Sequence, residues 1–120
     1  MSSGPAKYVA LLMQSRNKAH MYHLTTKSFA EHKALQAYYE GIVPLADSYA
    51  EAYMGKYGRL KRFALPRNTS TRPSARAYFK TLLVRLRMCR LPRDTYLKNI
   101  QDEITALVRS TLYMLSLKQR

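Results

Sequence analysis

Apolar residues recur along the chain at three- and four-residue steps, and no stretch keeps the two-residue rhythm of a half-buried strand. Tyr8, Leu11, Leu12, Ser15, Ala19, Tyr22 and His23 share one face of a helix over about 5–25. Pro5 suits its first turn, where a missing N–H costs nothing. Ser28 and Glu31 have capping-box spacing and open a second helix over about 28–54. Its face carries Leu35, Tyr38, Tyr39, Ile42, Leu45, Ala46, Tyr49 and Tyr53. Gly41 and Pro44 interrupt that face and predict a kink, and Gly55 and Gly58 end the helix. A third helix, about 74–91, turns inward Tyr78, Phe79, Leu82, Leu83, Leu86 and Cys89. A fourth, about 93–117, follows Pro92 and repeats Leu97, Ile100, Ile104, Leu107, Val108, Thr111, Leu112 and Leu115.

Four amphipathic helices with no strand between them predict an all-α, antiparallel four-helix bundle, one domain over 1–120. Between the second and third helices lies Lys56–Pro73, long for a compact bundle, so it crosses the bundle or works on a partner. There is room for a short helix at Arg59–Phe63. A hydrophobic content of 47% excludes a disordered chain. No apolar run approaches the roughly 18 residues of a membrane span, and the N-terminus lacks a signal-peptide pattern. Cys89 is the one cysteine, so neither an internal disulfide nor a cysteine zinc site is available. It reads as a small buried helix residue in a reducing compartment.

Charge changes this picture. The net charge is +14, and most of it falls in residues 55–100, with thirteen Lys or Arg against one acid. Lys56, Arg59, Lys61, Arg62, Arg67 and Arg72 crowd the connection, and Arg76, Lys80 and Arg87 continue at helical steps, with Arg85, Arg90 and Arg93 close by. So concentrated a patch predicts a polyanion partner, DNA first, bound through phosphates without reading bases. No recognition-helix motif is present. The plainer alternatives are a solvated helix face or an acidic protein surface as the partner.

The three histidines, His20, His23 and His32, fall within thirteen residues. Carboxylates that could join them are Glu31, Asp47 and Glu51 on the second helix, and Asp102 and Glu103 on the fourth, with Asp102 a candidate extra ligand. At about 100° per residue, Asp47 lies about 60° around the helix from His32, and Glu51 about 40° beyond it. Imidazole and carboxylate together suit Fe(II) or Zn(II). The plainer reading makes His23 a helix-end cap, pairs Asp47 and Glu51 with basic residues, and leaves the tyrosines in the core.

The segment from His23 to His32, followed by Asp47 and Glu51, resembles the ferroxidase segment of Dps-type miniferritins. The intervals from His32 match that family. The nine-residue step from His23 to His32 is shorter, and Leu24 stands where the family has Trp. Nearly the whole chain is also similar to an uncharacterised family of small tailed-bacteriophage proteins with a ferritin-like pattern. His20, Tyr22-His23-Leu24, Thr26-Lys27-Ser28, Ala30, His32–Leu35, Tyr39, Asp47-Ser48, Glu51–Tyr53, Gly55–Gly58, Asp102–Ile104, Ser110–Tyr113 and Leu115 carry that similarity. The resemblance implies a ferritin-like bundle that forms homo-oligomers in a bacterial host's cytoplasm or a virion. It also implies an iron site with His23 and His32 from one chain and Asp47 and Glu51 from its partner. No Glu-x-x-His pair occurs, so the larger ferritins' di-iron motif is absent. Two functions follow as expectations: a Dps-like DNA-binding protein that binds or oxidises iron, or a non-catalytic phage structural protein with packaged DNA on its basic face.

Overall fold

The computed structural model describes residues 4–64 and 70–117. Four helices, and among the described residues no strand, make up its regular structure: α1 (Gly4–Thr25), α2 (Phe29–Tyr57), α3 (Ala75–Met88) and α4 (Thr95–Ser116). Their boundaries follow local chemistry. Ser28 caps α2, its hydroxyl accepting from the Glu31 N–H at 3.1 Å, and Ser74 does the same for α3 through the Ala77 N–H at 3.2 Å. The helix α2 runs unbroken through Gly41, Pro44 and Gly55, and stops at Gly58. Gly58 has φ +94°, a left-handed conformation that a side chain disfavours. Pro44 lies on the exposed side of α2, so its ring, which cannot donate to the preceding turn, does not interrupt the core. No helix forms at Arg59–Phe63: past Gly58 the chain carries Arg59, Lys61 and Arg62, all exposed, and too few apolar residues to bury a helical face.

Every residue expected on the inward face of α1 is buried, and Leu12, Leu35, Tyr38, Tyr49, Phe79, Leu97, Ile104, Val108 and Leu115 form the centre of one shared core. The helices pair as α1 with α2, α2 with α4, α4 with α3, and α3 with α1. Hence α2 and α3, neighbours in sequence, stand diagonally opposite, meeting only across the centre, as in the edge-to-face contact of Tyr38 with Phe79 (centroids 4.7 Å apart).

Chain directions follow from the end contacts. The start of α3 lies at the C-terminal end of α1, where the Tyr22 hydroxyl donates to the Pro73 carbonyl at 2.6 Å. The far end of α3 meets the start of α1, and a Cβ on Gly4 would stand 1.9 Å from the Arg90 carbonyl oxygen. Both α2 and α3 therefore run antiparallel to α1. The end of α2 and the start of α3 therefore lie at opposite ends of the bundle.

Candidate functional site

The turn Thr26–Ser28 brings the last turn of α1 against the first turn of α2. Thr26 Oγ accepts from the Ser28 N–H at 3.1 Å and donates to Glu31, so the capping box closes through Thr26. Across this turn His23 and His32 stack, with centroids 3.7 Å apart and planes 19° apart. Each Nδ1 lies 2.8 Å from the other residue's backbone carbonyl. A carbonyl only accepts, so both Nδ1 atoms carry a proton, which in a neutral imidazole leaves Nε2 as the bare nitrogen. His20 stacks on Tyr39 at 4.3 Å, Tyr39 meets His23 edge-on at 5.4 Å, and the Arg16 guanidinium sits 5.3 Å from the Tyr39 ring centre. All three histidines thus form one aromatic cluster.

The carboxylates lie elsewhere. Asp47 and Glu51 are exposed on α2, 15 and 19 residues beyond His32, which is roughly 22 and 28 Å along the helix axis at 1.5 Å per residue. One chain therefore brings His23 and His32 together and leaves Asp47 and Glu51 apart from them. Asp102 does not face the cluster. It stands on the first half of α4, which begins beside Lys56 and Tyr57 at the opposite end of the bundle. Among the described residues no group of three or more His, Cys, Asp or Glu has an arrangement able to hold a metal ion.

The basic residues are better placed. Arg59, Lys61, Arg62, Arg72, Arg76, Lys80 and Arg87 are all exposed, whereas Arg67 lies outside the described residues. Lys56 is exposed but paired, its ammonium 2.5 Å from Asp94 Oδ2, while the Tyr57 hydroxyl donates to Asp94 Oδ1 at 2.5 Å. Asp94 occupies the N-cap position of α4 without capping it, because both carboxylate oxygens reach back to the end of α2. The hydrogen bonds from Lys56 and Tyr57 hold its carboxyl below the usual range.

Tertiary structure adds a charge division that linear segments concealed. Helix α1 holds Lys7, Arg16 and Lys18 with no acid, and α3 holds Arg76, Lys80, Arg85 and Arg87 with no acid. These two helices are neighbours. All seven acids stand on α2, on α4 or at the N-cap of α4. One half of the bundle is therefore purely cationic.

Lys18 was not singled out from the sequence, although its three- and four-residue offsets from Ser15 and Tyr22 place it on the apolar face. It is fully buried. Its ammonium donates to the Ser70 carbonyl and lies 5.2 and 5.4 Å from the ring centres of Tyr22 and Tyr78. Burial lowers its pKa. With Tyr22 on Pro73, it fastens residues 70–73 to α1.

Burial raises the pKa of Tyr8, Tyr22, Tyr38 and Tyr78, and pushes Tyr49 up to about 12. Ser15 gives its one proton to the Leu12 carbonyl at 2.7 Å, so the Tyr38 hydroxyl, 2.7 Å away, donates to Ser15. Cys89 is half-buried just past the end of α3 rather than inside a helix, and burial raises its thiol pKa as well. That is the opposite of what an activated nucleophile needs.

Residues 23–115 match a family of unknown function, DUF5856. The chain is also 27% identical over 120 residues to an uncharacterized 14.6 kDa protein from the mobD–ri intergenic region of Enterobacteria phage T4, covering 98% of this chain and 94% of that one. This similarity supports the expected kinship with small phage proteins. No solved structure matches the chain.

Proposed function

The chain belongs to the DUF5856 family, and from that premise we propose that it is a basic, ferritin-like bundle protein that binds phage or host DNA through its phosphates without reading sequence. The observation carrying this reading is the adjacency of α1 and α3, two helices without a single acid, joined at their flank by the exposed cations of the connection. Cations gathered on one side repel each other unless a polyanion neutralises them, and releasing that polymer's counterions drives binding. The ferritin-like part rests on the diagonal placement of α2 and α3 with one long crossover between them, the connectivity of that fold class. The test is fluorescence anisotropy on a labelled duplex, comparing the wild type with Arg76→Glu/Lys80→Glu/Arg87→Glu. Binding that weakens steeply with salt, and a triple variant with a log–log salt slope shallower by about three ions, are expected. A salt-independent affinity unchanged in the variant would overturn the reading.

A second reading has its own observation. Nδ1–H groups anchored on backbone carbonyls, with bare Nε2 atoms, are how metal-binding histidines are commonly oriented. An iron site using His23 and His32 would need Asp47 and Glu51 from a second copy, so it requires a homo-oligomer. When bound, iron would supply redox chemistry, and the histidines and carboxylates would orient it. Anaerobic Fe(II) loading of wild type and His32→Ala/Asp47→Ala decides it: stoichiometric iron lost in the variant supports the site, and no retained iron in wild type rejects it. In that case the bundle serves assembly and DNA contact alone, as a phage structural protein would.

A further inference from the structure

Three aromatic rings are exposed among the cations at the end of the bundle where α2 stops. Tyr57 is 46% exposed, Phe63 42% and Tyr96 47%. Tyr57 is stacked from behind by Tyr53 at 4.9 Å and held by its hydrogen bond to Asp94, so its orientation is set before any ligand arrives. Tyr96 lies close enough to the Lys56 ammonium to influence its charge. Phe63 follows Arg59, Lys61 and Arg62, all exposed, in an irregular segment whose Leu60 alone packs against the core.

That segment leads directly onto the acid-free half. Ala64 forms part of the wall of a groove of about 430 Å³ between α1 and α3, with Ala10, Leu11 and Met88 as apolar lining and Lys7 and Arg85 as its charged residues. Both cations are exposed, and Met88 is 75% exposed. An apolar slot beside two cations, reached by a basic segment bearing an open ring, has the two properties that unpaired nucleotides require. Flat apolar surface takes the face of a base, and flanking charge takes the phosphates. A duplex keeps its base faces stacked inside and can use only the charge.

Building on the DNA-binding reading, we infer that this end of the bundle is a single-strand-specific surface, with Phe63 stacking a base and Lys7, Arg85, Arg59 and Arg62 holding the adjoining phosphates. An acidic protein partner would use the same cations and gain little from the exposed rings, so the two partners give different mutant responses.

The experiment is fluorescence anisotropy with labelled dT20 and with a 20-base-pair duplex, titrated with the full chain as wild type, Phe63→Ala and Phe63→Trp, with poly-glutamate as competitor. dT20 is expected to bind at least about tenfold more tightly than the duplex, and Phe63→Ala to lose about tenfold on dT20 with no change on the duplex. Phe63→Trp is expected to keep the wild-type affinity, showing that the loss comes from the ring and not from misfolding. Equal affinity for the two probes, or equal effects of Phe63→Ala on both, would overturn single-strand specificity while leaving general DNA binding intact. Displacement of dT20 by poly-glutamate at equal charge would assign the surface to an acidic protein instead. Failure of both probes to bind would remove both this inference and the reading beneath it.

Discussion

His23 and His32 hold each other symmetrically, each Nδ1 donating to the other's carbonyl at 2.8 Å with the rings 3.7 Å apart. The pair locks the α1–α2 hairpin whatever else the rings do. Each hydrogen bond is worth about 1 kcal/mol, and the stacked contact about as much again. Changing either histidine to Ala is expected to destabilise the fold by roughly 1–2 kcal/mol. Urea unfolding followed by circular dichroism, arranged as a double-mutant cycle, should give a coupling of about 1 kcal/mol. Additive losses would show that the two rings act independently.

Lys18 presents the opposite balance. A fully buried ammonium facing a carbonyl and two rings has given up hydration that these partners only partly replace. Lys18→Met, which keeps the length and removes the charge, is expected to raise thermal stability by about 1 kcal/mol. The pH signature gives a second check. Burial lowers the folded pKa of Lys18 below its ordinary 10.5, so the folded state holds fewer protons than the unfolded state between those two values. Its contribution to stability therefore rises with pH across that window and is flat outside it. Lys18→Met should abolish the rise.

The buried tyrosines act in the other direction at higher pH. Tyr8, Tyr38, Tyr49 and Tyr78 all have folded pKa values raised above the ordinary 10, chiefly by burial. Below pH 10 both states keep their phenolic protons and nothing changes. Above it the unfolded chain ionises first, and each tyrosine withdraws up to about 1.4 kcal/mol of stability per pH unit. The protein is expected to unfold cooperatively between about pH 10 and 12, with tyrosinate absorbance and loss of helical dichroism rising together. Gradual ionisation with the helices intact would contradict this burial.

Asp94 holds the Lys56 ammonium in an ion pair. Its carboxylate takes up Lys56, which stands among the residues the sequence pointed to as a phosphate contact. In Asp94→Asn that attraction is gone and Lys56 becomes available. The log–log salt dependence of DNA binding should steepen by close to one ion, with no change in helix content. An unchanged slope would mean that the end of α2 does not touch the ligand. Because the partners hold the folded pKa of Asp94 low, its own stabilising effect is present at neutral pH and fades as pH falls through that value.

Much of the architecture was legible because it is local. Helical periodicity, the serine caps at Ser28 and Ser74 and the stop at Gly58 are written in short windows, and Leu11, Leu12, Phe79, Ile104 and Val108, expected to face inward, are buried. The pairing of His23 with His32 was also within reach, since one short turn separates the helices that bear them. Asp102, a candidate extra ligand in the sequence, lies away from the histidines because the end of the bundle at which α4 begins is set by tertiary packing and not by any local pattern.

What the sequence by itself determined was four helices, their apolar faces and a surplus of positive charge. Only the tertiary structure decided which helices stand side by side. The adjacency of α1 and α3 makes one half of the molecule free of acids, and the crossover to α3 puts residues 70–73 over Lys18 and Ala64 over the α1–α3 groove. The physical reason is that each apolar face can pack on several neighbours with nearly equal gain. The choice among them falls to end contacts such as Tyr22 on Pro73 and Gly4 against Arg90, which join residues far apart in the chain.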